Sequence, residues 1–330
     1  MERRASSPVW RAGTPAAPHA TTFEGRSAKM PTQDASPNKR YVLRGMKNPV
    51  LILYAIVSVL CCMSGWKLYL PTQTANASSH KAYLGFDRND YPGDANLATL
   101  RRTFVFAGYW LNVPPGATSN SWVGKRNAVK EAGFGFLVLF NGRLDAELRK
   151  SSDASALGRS DAASAVASAQ QEGFPLGTRI FLDQEEGGRM LPEQKAYLFA
   201  WIDGVNAGGF RAGVYCSGIA APEENGVKVI TAEDIRQNAG ARNIAYWVTN
   251  DACPPSPGCA FPRHAPSPSQ SGVTFANTWQ FAQSPKRRDV AAGCRRNYAS
   301  DGNCYPPRLA RQKLFVDVDS ANSADPSAGR

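Results

Sequence analysis

The residues best suited to proton chemistry are Asp183 and Glu185, in the stretch Ile180-Phe181-Leu182-Asp183-Gln184-Glu185-Glu186-Gly187-Gly188. An apolar run enters a cluster of acids and stops at two glycines. That is the pattern of a buried strand with carboxylates at its C-terminal end. Residues two apart on a strand share a face, roughly 7 Å apart at about 3.3 Å per residue. Two carboxylates so held can divide acid and base work at a glycosidic bond. The same residues also read as an acid cluster opening a helix, or as a salt-bridge site. More acids recur in similar settings: Asp87 in Gly85-Phe86-Asp87-Arg88-Asn89-Asp90, and Asp317 and Asp319 in Phe315-Val316-Asp317-Val318-Asp319.

Elements must bring these acids together. Eight apolar runs read as strands: 82–87, 104–111, 134–140, 178–185, 211–216, 244–249, 278–282 and 314–318. Helical patterns fall between most of them. Leu97–Arg102 is short, and Val123–Ala132 stops at Gly133. Ser160 caps a run to Gln171, Pro192 opens one to Asn206, and Thr231 precedes another. Strands separated by helices pair in parallel through crossovers. The expected fold is α/β, a (β/α)8 TIM-like barrel over residues 82–322, irregular in its last crossovers. An open doubly wound sheet is the alternative, but no G-x-G-x-x-G follows the first strand, so dinucleotide binding has little support. Barrel active sites sit at the C-terminal strand ends, where closure makes strands one and eight neighbours and brings Asp87 near Asp317. Buried acids gathered there raise one another's pKa and leave a proton donor. Taken singly, Asp87 reads as a cap and Asp319 as a surface charge. Tyr109, Trp110, Tyr215, Trp247 and Trp279 lie on or beside the strands, where flat rings suit pyranose faces; core packing claims at least half of them.

The formal net charge of +11 is unevenly spread. Residues 1–47 hold nine Lys or Arg against three acids, and a second basic cluster spans Lys286, Arg287, Arg288, Arg295, Arg296, Arg308, Arg311 and Lys313. No zinc-finger spacing, stacking motif or basic helix with interleaved aromatics is present, so nucleic acid is not an expected partner. The basic cluster reads as a solvated loop or as a face for an anionic polymer.

Residues 50–66 are an uncharged apolar run of 17 residues, at the short end for a membrane span. Basic residues before it keep the N-terminus inside and export the bulk. The helix (residues 48–70) is either a retained anchor facing the periplasm or exterior, or the core of a signal peptide cleaved near Ala75-Asn76-Ala77. Residues 1–47 read as a disordered tail, or as a mis-called start if Met46 is the true one; 71–81 read as a linker and 323–330 as a disordered C-terminal tail. Cys253 with Cys259, and Cys294 with Cys304, bracket turn-rich loops and fit disulfides in an oxidising space. Neither pair has C-x-x-C spacing, so zinc is not expected. Cys216 reads as a packing residue.

In order along the chain, Gly85-Phe86-Asp87, Ile180-Phe181-Leu182-Asp183-Gln184-Glu185, Gly213-Val214-Tyr215-Cys216-Ser217, Trp279-Gln280-Phe281 and Val316-Asp317-Val318-Asp319 resemble the family 25 glycoside hydrolases, which are barrel muramidases. They resemble still more the glycoside-hydrolase-like family 1906 of unknown function. The resemblance covers roughly residues 82–322. It implies hydrolysis of β-1,4 bonds in peptidoglycan or a similar N-acetylated glycan, with no metal or organic cofactor. Glu185 then matches the acid, and Asp183 the group that orients the substrate acetamido. Asp87 and Asp317 match supporting carboxylates, while Tyr109, Tyr215, Trp247, Trp279 and Gln280 match the sugar cleft. Arg88 departs from the pattern as a cation beside Asp87, placed to hold it in an ion pair. Glu186 adds a third acid beside Glu185, and either can align as the proton donor. A non-catalytic glycan-binding barrel, and an envelope scaffold using the basic loop, are the competing functions.

Overall fold

The computed structural model describes residues 81–251, 261–283 and 303–330. The apolar run at 50–66 and the segments on either side of it therefore lie outside the described residues. So do Cys253, Cys259 and Cys294; Cys304 is buried and disulfide-bonded. Among the described residues no helix is long and apolar enough to cross a membrane.

Eight strands close into a barrel: β1 (Tyr83–Asp87), β2 (Phe106–Trp110), β3 (Gly135–Asn141), β4 (Arg179–Asp183), β5 (Arg211–Ser217), β8 (Ala245–Thr249), β9 (Thr278–Ala282) and β10 (Asp317–Ala321). The short β6 (Ala221–Pro222) and β7 (Lys228–Val229) form a separate ribbon. Helices α1 (Asp94–Arg101), α2 (Arg126–Glu131), α3 (Asp145–Leu148), α4 (Ala154–Gln171), α5 (Pro192–Ala207) and α6 (Thr231–Asn238) fill the crossovers. Within the barrel β1, β2, β3, β4, β5, β8 and β9 pair in parallel in that order, and β10 runs antiparallel to both of its neighbours, β1 and β9. This is the irregular last crossover. The eighth strand begins three residues later than its apolar run suggests, because Leu314 and Val316 pack before the strand starts.

The parallel strands are buried on both faces, as helix-covered sheets require, and so read as continuous apolar runs. α4 begins at Ala154 rather than at Ser160. Asp153 caps it, its carboxylate accepting from the Ala156 N–H at 2.9 Å. Its small residues let α5 approach closely. A Cβ on Gly158 would stand 2.3 Å from the Tyr197 carbonyl oxygen, so Gly158 is required for this contact.

The C-terminal residues are not a disordered tail. β3 meets β4 only from Val138–Ile180 onward, which leaves the lower ends of the two strands apart. Ser327 fills that gap. Its N–H donates to the Phe136 carbonyl (2.9 Å), its Oγ accepts from the Val138 N–H (2.8 Å), and its carbonyl accepts from the Arg179 N–H (2.7 Å). Asp325 accepts from the Phe136 N–H (2.8 Å), and the Gly329 carbonyl accepts from Arg126 Nη2 (2.8 Å). The segment bridges β3 and β4 with backbone and short side-chain hydrogen bonds at the barrel floor, opposite the rim that carries the acids.

Candidate active site

Strand register assembles the acids. On β1 and β10, Asp87 stands opposite Asp317, and Gly85 opposite Asp319. Asp319 then faces Gln280 on β9. Around the other side Asp183 is level with Tyr215, and Tyr215 with Trp247. Alternation turns all of these inward. Gly108 on β2 makes room for them, since a Cβ there would lie 2.6 Å from the Asp87 Cβ. The result is a cavity of about 120 Å³ at the C-terminal rim, bordered by Asp87, Asp183, Glu185, Asp317, Tyr215, Trp247 and Gln280, with Trp110, Arg88 and Gln283.

Gln280 organises the floor. Its Oε1 accepts from Tyr215 OH (2.8 Å), Gln283 Nε2 (2.9 Å) and Thr249 Oγ1 (3.1 Å), so its amide nitrogen is turned to Asp87 Oδ2 at 2.9 Å. Trp247 Nε1 donates to Asp319 Oδ1 at 3.0 Å. The Trp247 ring packs on Tyr215, with centroids 4.5 Å apart, and on the edge of Phe181 below. These side chains are locked by bonds and packing, and that holds the carboxyls in place.

The carboxyls form two hydrogen-bonded pairs, Asp183 with Glu185 and Asp87 with Asp319. Asp183 Oδ1 and Asp319 Oδ2 are buried and receive no N–H or side-chain O–H among the described residues. A proton held within each pair supplies the missing donor. Burial raises Asp183 well above the usual carboxylate range, and the Glu185 charge adds to it. Burial does the same for Asp319, with Asp87 adding. Glu185 is pushed up to about 7 by burial, moderated by its bond to Asp183. Asp87 is pushed up to about 6 by burial, moderated by Gln280. Four carboxyls this close and this dry cannot all ionise.

These raised values set a pH dependence. The folded protein keeps protons that the unfolded chain releases near pH 4. That contribution is complete below about pH 4, and it is lost as pH rises through about 6 for Asp87 and about 7 for Glu185. Thermal unfolding followed by circular dichroism is expected to show a midpoint that falls from pH 5 to pH 8. The loss is on the order of a few kcal/mol. Asp319→Asn, an uncharged mimic of the protonated acid, is expected to flatten the slope; an unchanged slope would count against the shared-proton pair.

Several sequence expectations shift. Glu186 is not interchangeable with Glu185: its carboxylate accepts from the Asp145 N–H at the start of α3 (2.8 Å) and from Gln194 Nε2, so it ties loops together. Asp319 is fully buried rather than a surface charge, and Asp317 borders the rim. Tyr109 is not in the cleft. It faces the helices, packs edge-on against Trp122, Phe136 and Phe174, and donates to the Trp122 carbonyl at 2.7 Å. Trp279 also turns outward, donating to the Asn250 carbonyl at 3.0 Å and packing against Phe281. Trp110, the neighbour of Tyr109, is the aromatic that β2 delivers to the cavity. Arg88 forms no ion pair with Asp87, whose partners are Gln280 and Asp319. Cys216 is buried, and burial raises its thiol far above the range of a nucleophile. Among the described residues no group of His, Cys, Asp and Glu has the geometry to hold a metal.

Residues 116–270, which include Asp183, Glu185, Tyr215 and Trp247, match the family described as Rv2525c-like, glycoside hydrolase-like domain. Solved structures of related shape include an uncharacterized Bacillus stearothermophilus protein (20% identity, TM-score 0.46, covering 72% of this chain and 95% of that one). The Mycobacterium tuberculosis Tat-secreted protein Rv2525c gives 14% identity and a TM-score of 0.41, over 73% of this chain and 95% of that one. A bacterial lysozyme from Streptomyces coelicolor gives 13% identity and a TM-score of 0.39, over 75% and 96%. No curated protein matches the chain. The family match thus agrees with the resemblance carried by the strand-end motifs, and residues 116–270 are similar to the Rv2525c-like, glycoside hydrolase-like domains.

Proposed function

We propose that this chain hydrolyses a β-1,4 bond of peptidoglycan or a similar N-acetylated glycan, on the exported side of a membrane. The observation that carries the reading is the hydrogen-bonded Asp183–Glu185 pair opening onto a cavity walled by Trp110, Tyr215 and Trp247. At neutral pH the pair holds one proton. Glu185 delivers it to the leaving glycosidic oxygen as the bond from that oxygen to C1 breaks. The acetamido oxygen of the same sugar closes on C1, while Asp183, now ionised, accepts the amide N–H as charge builds there. Water then opens the cyclic intermediate at C1, its proton returns to Glu185, and the anomeric configuration is retained. Asp87 holds its negative charge close to the pair and keeps the shared proton from leaving early. Export rests on the basic residues that precede the apolar run at 50–66.

Purified protein incubated with peptidoglycan is expected to release new reducing ends, read by mass spectrometry. Binding without turnover would identify a glycan-binding barrel instead. The aromatics give a second test. Trp110→Ala is expected to weaken glycan affinity about tenfold by loss of one stacking face. Trp279→Phe, on the outward face, is expected to leave affinity unchanged; equal losses in titration calorimetry would refute this assignment of faces.

A further inference from the structure

At the mouth of the cavity one charged side chain has two N–H donors that meet no acceptor among the described residues. Arg88 follows β1 directly and borders the cavity beside Asp87 and Asn89. Its Nε and Nη1 are buried, and among the described residues no acceptor meets either of them. Arg88 as a whole is half-buried, but buried N–H donors such as these two normally find a carboxylate, phosphate or carbonyl, because leaving them dry and empty is costly. Burial accordingly pushes Arg88 down from the usual arginine range, while Asp90 and Asp317 lie near enough to favour its charge without bonding to these two nitrogens.

The backbone beneath Arg88 is fixed. The Arg88 carbonyl accepts from Trp110 Nε1 (3.2 Å) and Trp122 Nε1 (3.3 Å), Trp122 also donates to the Asn89 carbonyl (3.1 Å), and Asn89 Nδ2 donates to the Pro115 carbonyl (2.8 Å). Two indoles and an amide thus hold the segment in place. The carboxyls on the other wall carry much of their acid as protonated groups, which lowers the negative field that an incoming anion must meet.

We infer that Arg88 is a specificity-determining residue that binds a carboxylate on the glycan, next to the sugar held over Asp183 and Glu185. The inference rests on the glycan-hydrolase reading and narrows it: the favoured ligand carries an acid group close to the scissile bond, and a neutral N-acetylglucosamine oligomer is a poorer one. An ether-linked carboxylic acid on the sugar, a uronic acid and a peptide carboxylate share this chemistry.

The test is binding, measured by titration calorimetry on the full chain carrying Glu185→Gln, so that nothing turns over. Four ligands of equal length separate the sources: a neutral chito-oligosaccharide, an oligosaccharide with lactyl-ether carboxylates, its carboxamide twin, and one with uronic acids. The expected result is at least tenfold tighter binding of one carboxylate ligand than of its uncharged counterpart. Adding Arg88→Gln is expected to erase that preference while affinity for the neutral oligomer stays the same, and Arg88→Lys to restore part of it. A preference that survives Arg88→Gln, or no preference in the arginine protein while the neutral oligomer binds, overturns the inference and leaves the glycan reading standing. Failure of all four ligands to bind overturns both.

Discussion

Glu185→Gln is expected to lower kcat/KM for peptidoglycan cleavage by about 10²- to 10⁴-fold, the range for removing a general acid. The fold survives, because glutamine matches the acid in shape and its amide can still face Asp183, with which Glu185 is hydrogen-bonded. Reducing-end release measured beside the wild type checks the size of the loss. A drop of less than tenfold with an unchanged melting profile would remove Glu185 from the proton-donor role. The pH profile offers an independent reading. Glu185 is raised to about 7, so cleavage by the wild type is expected to decline as pH rises above that value and the pair loses its shared proton. Glu186→Gln is expected to act differently, loosening the α3 and α5 loops it ties while leaving the alkaline limit in place.

The second large effect lies on the opposite face of the barrel. Deleting residues 323–330 is expected to abolish cooperative folding. The lower ends of β3 and β4 do not reach each other, and Ser327 and Asp325 occupy the backbone groups that face the gap: the N–H and carbonyl of Phe136 and the N–H groups of Val138 and Arg179. Each buried group left without a partner costs about 1–3 kcal/mol. Four of them, with water reaching some, amount to much of a typical stability of about 5–15 kcal/mol. Ser327→Ala, which removes one acceptor from the Val138 N–H, is expected to cost about 1–3 kcal/mol by denaturant unfolding. A truncated protein that melts as sharply as the full chain would show the segment to be an ornament.

The strands of this barrel were legible because parallel strands covered on both faces must be apolar throughout; the run at 278–282 coincides with β9 to the residue. That same property hides which face each residue takes. Tyr109 and Trp110 are adjacent, equally aromatic and both buried, and only the register with β3 tells which one enters the cavity. β10 was displaced for the opposite reason. Leu314, Phe315 and Val316 look more like a strand than Asp317-Val318-Asp319-Ser320-Ala321, yet the latter is the strand, because the barrel interior accepts an acid that keeps its proton. Spacing singles out Asp183 and Glu185 but not their geometry: β4 ends at Asp183, so Glu185 stands beyond the strand and within hydrogen-bond reach of Asp183 rather than about 7 Å away on one strand face. Asp319, the partner of Asp87, stands with Asp317 among the strand-end acids but reads singly as a surface charge, because the sequence does not show that the barrel interior buries it. The C-terminal segment, small and polar, carries no hydrophobic signal; its role is played by backbone groups and two short side chains, which periodicity does not record.

β10 both closes the barrel and carries Asp319, the acid buried most completely among the four. Docking that strand and protonating that acid are therefore one event. When β10 peels from β1 and β9, Asp319 meets water and, near neutral pH, gives up its proton. Its return beside Asp87 is favoured once one member of the pair again carries a proton. The rarer the proton, the longer the opened strand persists, so local breathing at this seam is coupled to acidity in a way that breathing between β4 and β5, joined by ordinary apolar contacts along most of their length, is not.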